Sequence, residues 1–256
     1  MAFLSRATSV SLNIVARVQK TLGNSLLAKT NALSKALQLP SWNPYFPTGA
    51  PALNPTSSLS SMKVVYFSTC VNRIMGPALT DPETTTLHQK ILQLLKKADV
   101  QVVHPPNINS LCCGLAFESK GFFTQSDAAS TKVLDDLLAA SNGGEYPILC
   151  DASPCYYHLV NFVKQLKTDN QQLHSKYKKL NIMEPVTFTL EHLVPRLDFT
   201  QQMHSVILHI PCSSKKAGLE LNFKKLASLC AKEVVDTQVP CCGMAGDRGL
   251  NYPELI

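Results

Sequence analysis

Nine cysteines stand at positions 70, 112, 113, 150, 155, 212, 230, 241 and 242 of a 256-residue chain. Their spacing repeats. Cys70 closes the apolar run VVYFSTC, and Cys112-Cys113-Gly114 follows 42 residues on. Cys212 closes VILHIPC, and Cys241-Cys242-Gly243 follows after 29. An odd number of thiols, with no C-x-x-C and no secretory leader, argues against a closed disulfide framework. It points to metal or redox chemistry in a reducing compartment.

The elements that must position these thiols alternate between strand and helix. VVYFS (64–68), VQVVH (100–104) and YPILC (146–150) read as strands. Leu87, Ile91, Leu94, Leu95 and Ala98 share a helical face in 83–98, and Val133, Leu134, Leu137 and Leu138 share one in 125–140. A third helix is expected from about Tyr156. In the second half, 206–212 reads as a strand, 217–232 as a helix and 233–243 as a strand leading into CCG. The expected fold is α/β: two pseudo-repeated parallel-sheet modules with flanking helices, over 62–203 and 204–256, the second truncated. Residues 1–61 are expected as a helical leader followed by a Pro/Ser-rich linker or extended arm.

Strand C-termini of a parallel sheet share one edge, where ligands bind. Cys70, Cys112, Cys113, Cys150 and Cys155 should therefore meet there, and Cys212, Cys241 and Cys242 should do the same in the second copy. Five thiols exceed the four of tetrahedral zinc and suit an iron–sulfur cluster. Neighbouring residues of a strand point opposite ways, so both members of a Cys-Cys pair face one site only if the chain turns. Gly114 and Gly243 permit that turn. Cys230 completes the apolar stripe of its helix with Leu219, Phe223 and Leu226 and reads as a packing residue. Gly243, Gly246 and Gly249 lack the strand and the Lys-Ser/Thr of a phosphate loop and read as backbone freedom around the cluster. His209 reads as a hydrogen-bonded core residue, and His104 and His158 lie near the cysteine loops.

Charge separates the leader from the rest. Residues 1–80 hold Arg6, Arg17, Lys20, Lys29, Lys35, Lys63 and Arg73 and no Asp or Glu, so the net charge of +6 originates there. With few aromatics in that stretch, nucleic acid is not expected as a partner. An acid-free helical leader is also how a mitochondrial transit segment looks; the alternative is a surface helix pair. No apolar run is long enough to span a membrane.

Taken in order, SLCCGLAFESKGF, YPILCDASPCYYHL, EPVTFTLEHLVPRL, IPCSSKKAGL and PCCGMAGDRGLNYPEL resemble the C-terminal cysteine-rich (CCG) domain of FAD- and iron–sulfur-dependent D-lactate dehydrogenases. The wider superfamily includes the glycolate oxidase iron–sulfur subunit and a cysteine-rich component of heterodisulfide reductase. The likeness covers about residues 20–256 and includes WNPYFPTGAP. It implies cluster ligation, of 4Fe-4S type, by Cys70, Cys112, Cys113, Cys150 and Cys155, with Cys212, Cys241 and Cys242 as the second set. In the family, further cysteines complete the second set, and an FAD domain and a ferredoxin-like segment precede the domain. The chain is therefore expected to be a fragment or one product of a split gene. The implied function is electron transfer from FAD, in a missing or partner domain, toward a quinone or cytochrome. The rival expectations are a cluster-based thiol/disulfide reductase subunit and an inactive structural fragment. The implied location is cytoplasmic with peripheral association at the inner membrane, or alternatively mitochondrial.

Overall fold

The computed structural model describes residues 2–31, 33, 43–53, 60–199, 203–239, 242–244 and 249. In chain order the elements are α1 (Ala2–Leu22), α2 (Asn24–Ala28), β1 (Pro47–Gly49), β2 (Met62–Phe67), α3 (Cys70–Ile74), β3 (Met75–Ala78), α4 (Leu87–Lys97) and β4 (Val100–Val103). There follow α5 (Leu115–Glu118), α6 (Phe123–Ala140), β5 (Ile148–Cys150), α7 (Ser153–Asp169), α8 (Gln171–Tyr177), β6 (Ile182–Met183) and α9 (Pro185–Phe188). The last described elements are β7 (Met203–Leu208), α10 (Cys212–Lys216), α11 (Glu220–Cys230) and β8 (Ala231–Asp236). The fold is mixed α/β, with parallel sheets flanked by helices.

The main sheet has the order β4-β2-β5-β6, and each described pair in it is parallel. β2 is its centre. Val64, Val65, Tyr66 and Phe67 are all fully buried, as expected of a strand covered on both faces, and for that reason the run is continuously apolar rather than alternating. Val65, Phe67, Ile148 and Cys150 pack beneath α6 and α7 with Val133, Leu134, Leu137 and Leu159. Val64, Tyr66 and Leu149 face the other way, toward Leu95, Met183, Phe188 and Leu193. β6 escapes sequence reading because two residues carry no period.

α4 buries the expected face at Leu95 and Ala98, with Ile91 packed against the core, but departs from it at its first turn. Leu87 is 48% exposed, whereas His88 and Leu95 are buried. There the Thr86 N–H donates to Gln89 Oε1 at 3.0 Å and its hydroxyl contacts His88 Nδ1 at 3.2 Å, while that nitrogen lies 3.3 Å from the Asn72 carbonyl. Burial holds His88 and His104 below the ordinary histidine range. An unfolded chain carries ordinary histidines, titrating near pH ~6.5. The folded state therefore resists protonation, and this contribution to stability is fully present above that pH and is lost as the pH falls below it. Thermal unfolding midpoints measured between pH 7.5 and 5.5 (about one unit either side of that value) are expected to decline on the acid side.

Residues 43–53 do not hang free. β1 pairs antiparallel with β3, and α1 lies on β1, with Ser9 Oγ donating to the Ala50 carbonyl at 3.0 Å and Gln19 Nε2 to the Pro44 carbonyl at 3.1 Å. β7 and β8 form a separate parallel pair, as β2 and β4 do. Their outer face is bare: Ile207 is 74% exposed, and Met203 and Val235 are also exposed. His209 corrects the sequence reading. It lies past the end of β7, exposed, with Nδ1 3.2 Å from Thr237 Oγ1. Among the described residues α11 packs on β7, which is far less buried than β2.

Candidate metal centre

β2 ends at Phe67. Ser68 and Thr69 are buried, and Cys70 opens α3 rather than closing the strand as expected. Asp151, immediately after the strand-terminal Cys150, clamps this corner. Tyr66 Oη donates to its Oδ2 at 2.8 Å and the Thr69 N–H donates to its Oδ1 at 2.9 Å. Two strand ends are thereby locked side by side, and burial followed by the Asp151 charge holds the Tyr66 phenol protonated, far above its usual range.

The Cys112-Cys113 pair turns at Gly114, whose φ of 100° is left-handed. A Cβ there would lie 2.6 Å from the Ser126 carbonyl oxygen and 2.8 Å from Ser130 Oγ, so α6 can approach only a glycine. Cys155 reaches the same place from the first turn of α7, where Pro154 fits without needing its missing N–H.

Four sulfurs meet. Cys113 Sγ lies 3.0 Å from Cys155 Sγ. Cys112 is hydrogen-bonded to Cys113 and to Cys70, and also receives the Gly114 amide. These bonds, that from Cys113 first, hold the Cys112 thiol well below its ordinary range, whereas Cys113 and Cys70 are pushed up, first by their bonds to Cys112. Cys150 is fully buried, and burial, then the neighbouring Cys155, pushes its thiol up; Sγ lies 3.7 Å from the Ala152 carbonyl. It packs in the core beside Cys155. All five are free thiols.

Behind Cys113 runs a chain of polar contacts that sequence reading did not assemble. Ser130 Oγ is 2.8 Å from the Cys113 carbonyl and 3.0 Å from His158 Nε2, and His158 Nδ1 is 2.7 Å from Glu118 Oε2. The serine hydroxyl donates to the carbonyl, so Ser130 ties the thiol loop to the His158–Glu118 pair. Ser130 is completely buried, so it orders the thiol loop and is closed to any substrate. Ser130→Ala is expected to cost about 1–3 kcal/mol in a urea titration, because two buried partners lose their bond. His104 sits elsewhere, against the Tyr66 ring at 5.8 Å.

In the second copy, Cys212 opens α10 as Cys70 opens α3. The Ser153 and Ser213 hydroxyls are 2.7 Å apart, so the first turns of α7 and α10, carrying Cys155 and Cys212, abut. Cys242 is exposed and Cys230 half-buried; Cys241 and Gly246 lie outside the described residues. Arg73 and Asp151 are the residues at the site that sequence reading did not single out. The signal available was their position, three residues after Cys70 and one after Cys150.

Among the described residues no group of three or more His, Cys, Asp or Glu is arranged to hold a metal ion. The four sulfurs are engaged with one another instead. As a donor set they fit iron–sulfur chemistry: all are soft sulfur, they come from three separate segments, and the amides of Gly114 and Leu115 already bond to Cys112 and Cys113. Residues 64–160 match the family model of the cysteine-rich domain CCG, which points to iron–sulfur-related redox function. No curated protein and no solved structure matches the chain. Among the described residues no helix is long and apolar enough to cross a membrane.

Proposed function

We propose that this chain is the iron–sulfur electron-transfer region of a flavin-dependent D-2-hydroxyacid dehydrogenase, acting on D-lactate or a close analogue. The observation that carries the reading is the meeting of Cys70, Cys112, Cys113 and Cys155 in a region that matches a cysteine-rich domain. These four, with Cys150 beside them, would hold a 4Fe-4S-type cluster, and Cys212, Cys241 and Cys242 would contribute to a second. Such a cluster, when bound, accepts and returns single electrons. The chain's own part is to keep the thiol loop in one turn, through Gly114 and Ser130, and to bury Cys113. FAD belongs to another domain or subunit, and a quinone or cytochrome is the final acceptor.

The test is an oxygen-free preparation reconstituted with iron and sulfide. Stoichiometric iron and sulfide, with no D-lactate–dye turnover until a flavin-containing partner is added, is the expected result. Colourless protein, or sustained turnover by the chain alone, overturns the reading. The close approach of Cys113 and Cys155 favours a second reading, a thiol/disulfide reductase subunit that uses two electrons from a partner. Reduction of a small disulfide by the reconstituted chain, given a reductant, selects it.

A further inference from the structure

Arg73 sits on α3 one turn past Cys70 and is only 8% exposed. Its Nη2 donates to the Leu111 carbonyl at 2.6 Å, while Nε and Nη1 are buried with no hydrogen-bond partner. A guanidinium is charged at any working pH, and a buried cation without a partner is strongly unfavourable. No carboxylate of the described residues forms an ion pair with it. Asp151 is near enough to be felt, but its oxygens are taken by Tyr66 and Thr69. The other ionisable groups close enough to act on the guanidinium, once ionised, are the thiols of Cys70, Cys112 and Cys155. Arg73 is therefore a cation with two idle donor nitrogens beside three of the four clustered sulfurs.

We propose that Arg73 is the resident counter-cation of a soft metal or cluster bound as thiolates by Cys70, Cys112, Cys113 and Cys155, its charge and idle N–H groups offsetting the net negative charge that such a centre carries. The proposal deepens the iron–sulfur reading and rests on it only for the identity of the metal. It also accounts for an arginine at a position where packing alone would select an apolar side chain. The metal-free chain bears the unpaired cation, and the loaded chain relieves it.

The test uses the full chain as wild type, Arg73→Met, Arg73→Gln and Arg73→Lys. Cadmium is the first probe, because it binds thiolates without needing sulfide and its ultraviolet charge-transfer band reports occupancy. Both neutral variants are expected to bind cadmium about 10–100-fold more weakly, and Arg73→Lys nearer to wild type. The metal-free neutral variants should melt no lower than wild type, whereas after iron and sulfide loading they should melt lower and release iron to a chelator faster. Wild type that takes cadmium but no iron, with the neutral variants still weakened, removes the iron–sulfur reading and leaves the counter-cation in place. Neutral variants that bind cadmium as tightly as wild type overturn the counter-cation. So does loss of folding in both neutral variants without metal, since that assigns Arg73 to its Leu111 contact.

Discussion

Cys113→Ser is expected to abolish retention of iron under anaerobic reconstitution, while Cys230→Ser retains the wild-type iron and sulfide content. Cys113 is buried, bonded to Cys112 and 3.0 Å from Cys155, so it links two of the three segments that supply sulfur. Serine nearly preserves the volume but replaces a soft donor with a hard oxygen that binds iron poorly in this setting. Cys230 ends α11, half-buried and on a different element from the four-sulfur group. Iron and sulfide analysis of the two variants, with circular dichroism to verify folding, makes the comparison. Wild-type iron in Cys113→Ser would remove the four-thiol assignment.

The next largest effect is expected at Gly114. Gly114→Ala forces a side chain into a left-handed backbone and drives its Cβ against a carbonyl oxygen of α6 at 2.6 Å. Backbone cannot swing aside as a flexible side chain can. The expected loss is about 2–5 kcal/mol, combining conformational strain with overpacking. Gly121 provides the control. It is also left-handed, but a Cβ there meets nothing within 4 Å, so Gly121→Ala should cost only the strain, about 1–2 kcal/mol. Urea denaturation of both variants separates the two contributions. Equal losses would mean that the contact with α6 is not what fixes the thiol turn.

Much of the centre could be read from local sequence, because its signals are local. Strand runs ending near cysteines, a glycine after each Cys-Cys pair and the strand–helix alternation all sit within a few residues of one another. The unread parts depend on contacts across long separations. Asp151 clamps Tyr66 from 85 residues away and Arg73 reaches the Leu111 carbonyl across 38, and neither partnership leaves a mark on its immediate neighbours. The Glu118–His158–Ser130 chain joins three helices by their side faces. Composition misled at His209 and Leu87: β7 reads as a buried strand, yet Met203 and Ile207 are exposed, and Leu87 stays exposed at the first turn of α4 although Leu95 and Ala98 of the same stripe are buried.

The pairing of β7 with β8 carries a practical consequence. Met203, Ile207 and Val235 make a greasy panel beside strand backbone, the type of rim along which separate molecules zip together into ordered aggregates. Losses of material should then track how concentrated the sample is more than how warm it is. A lysine gatekeeper at position 207 is the simplest way to keep the chain dispersed.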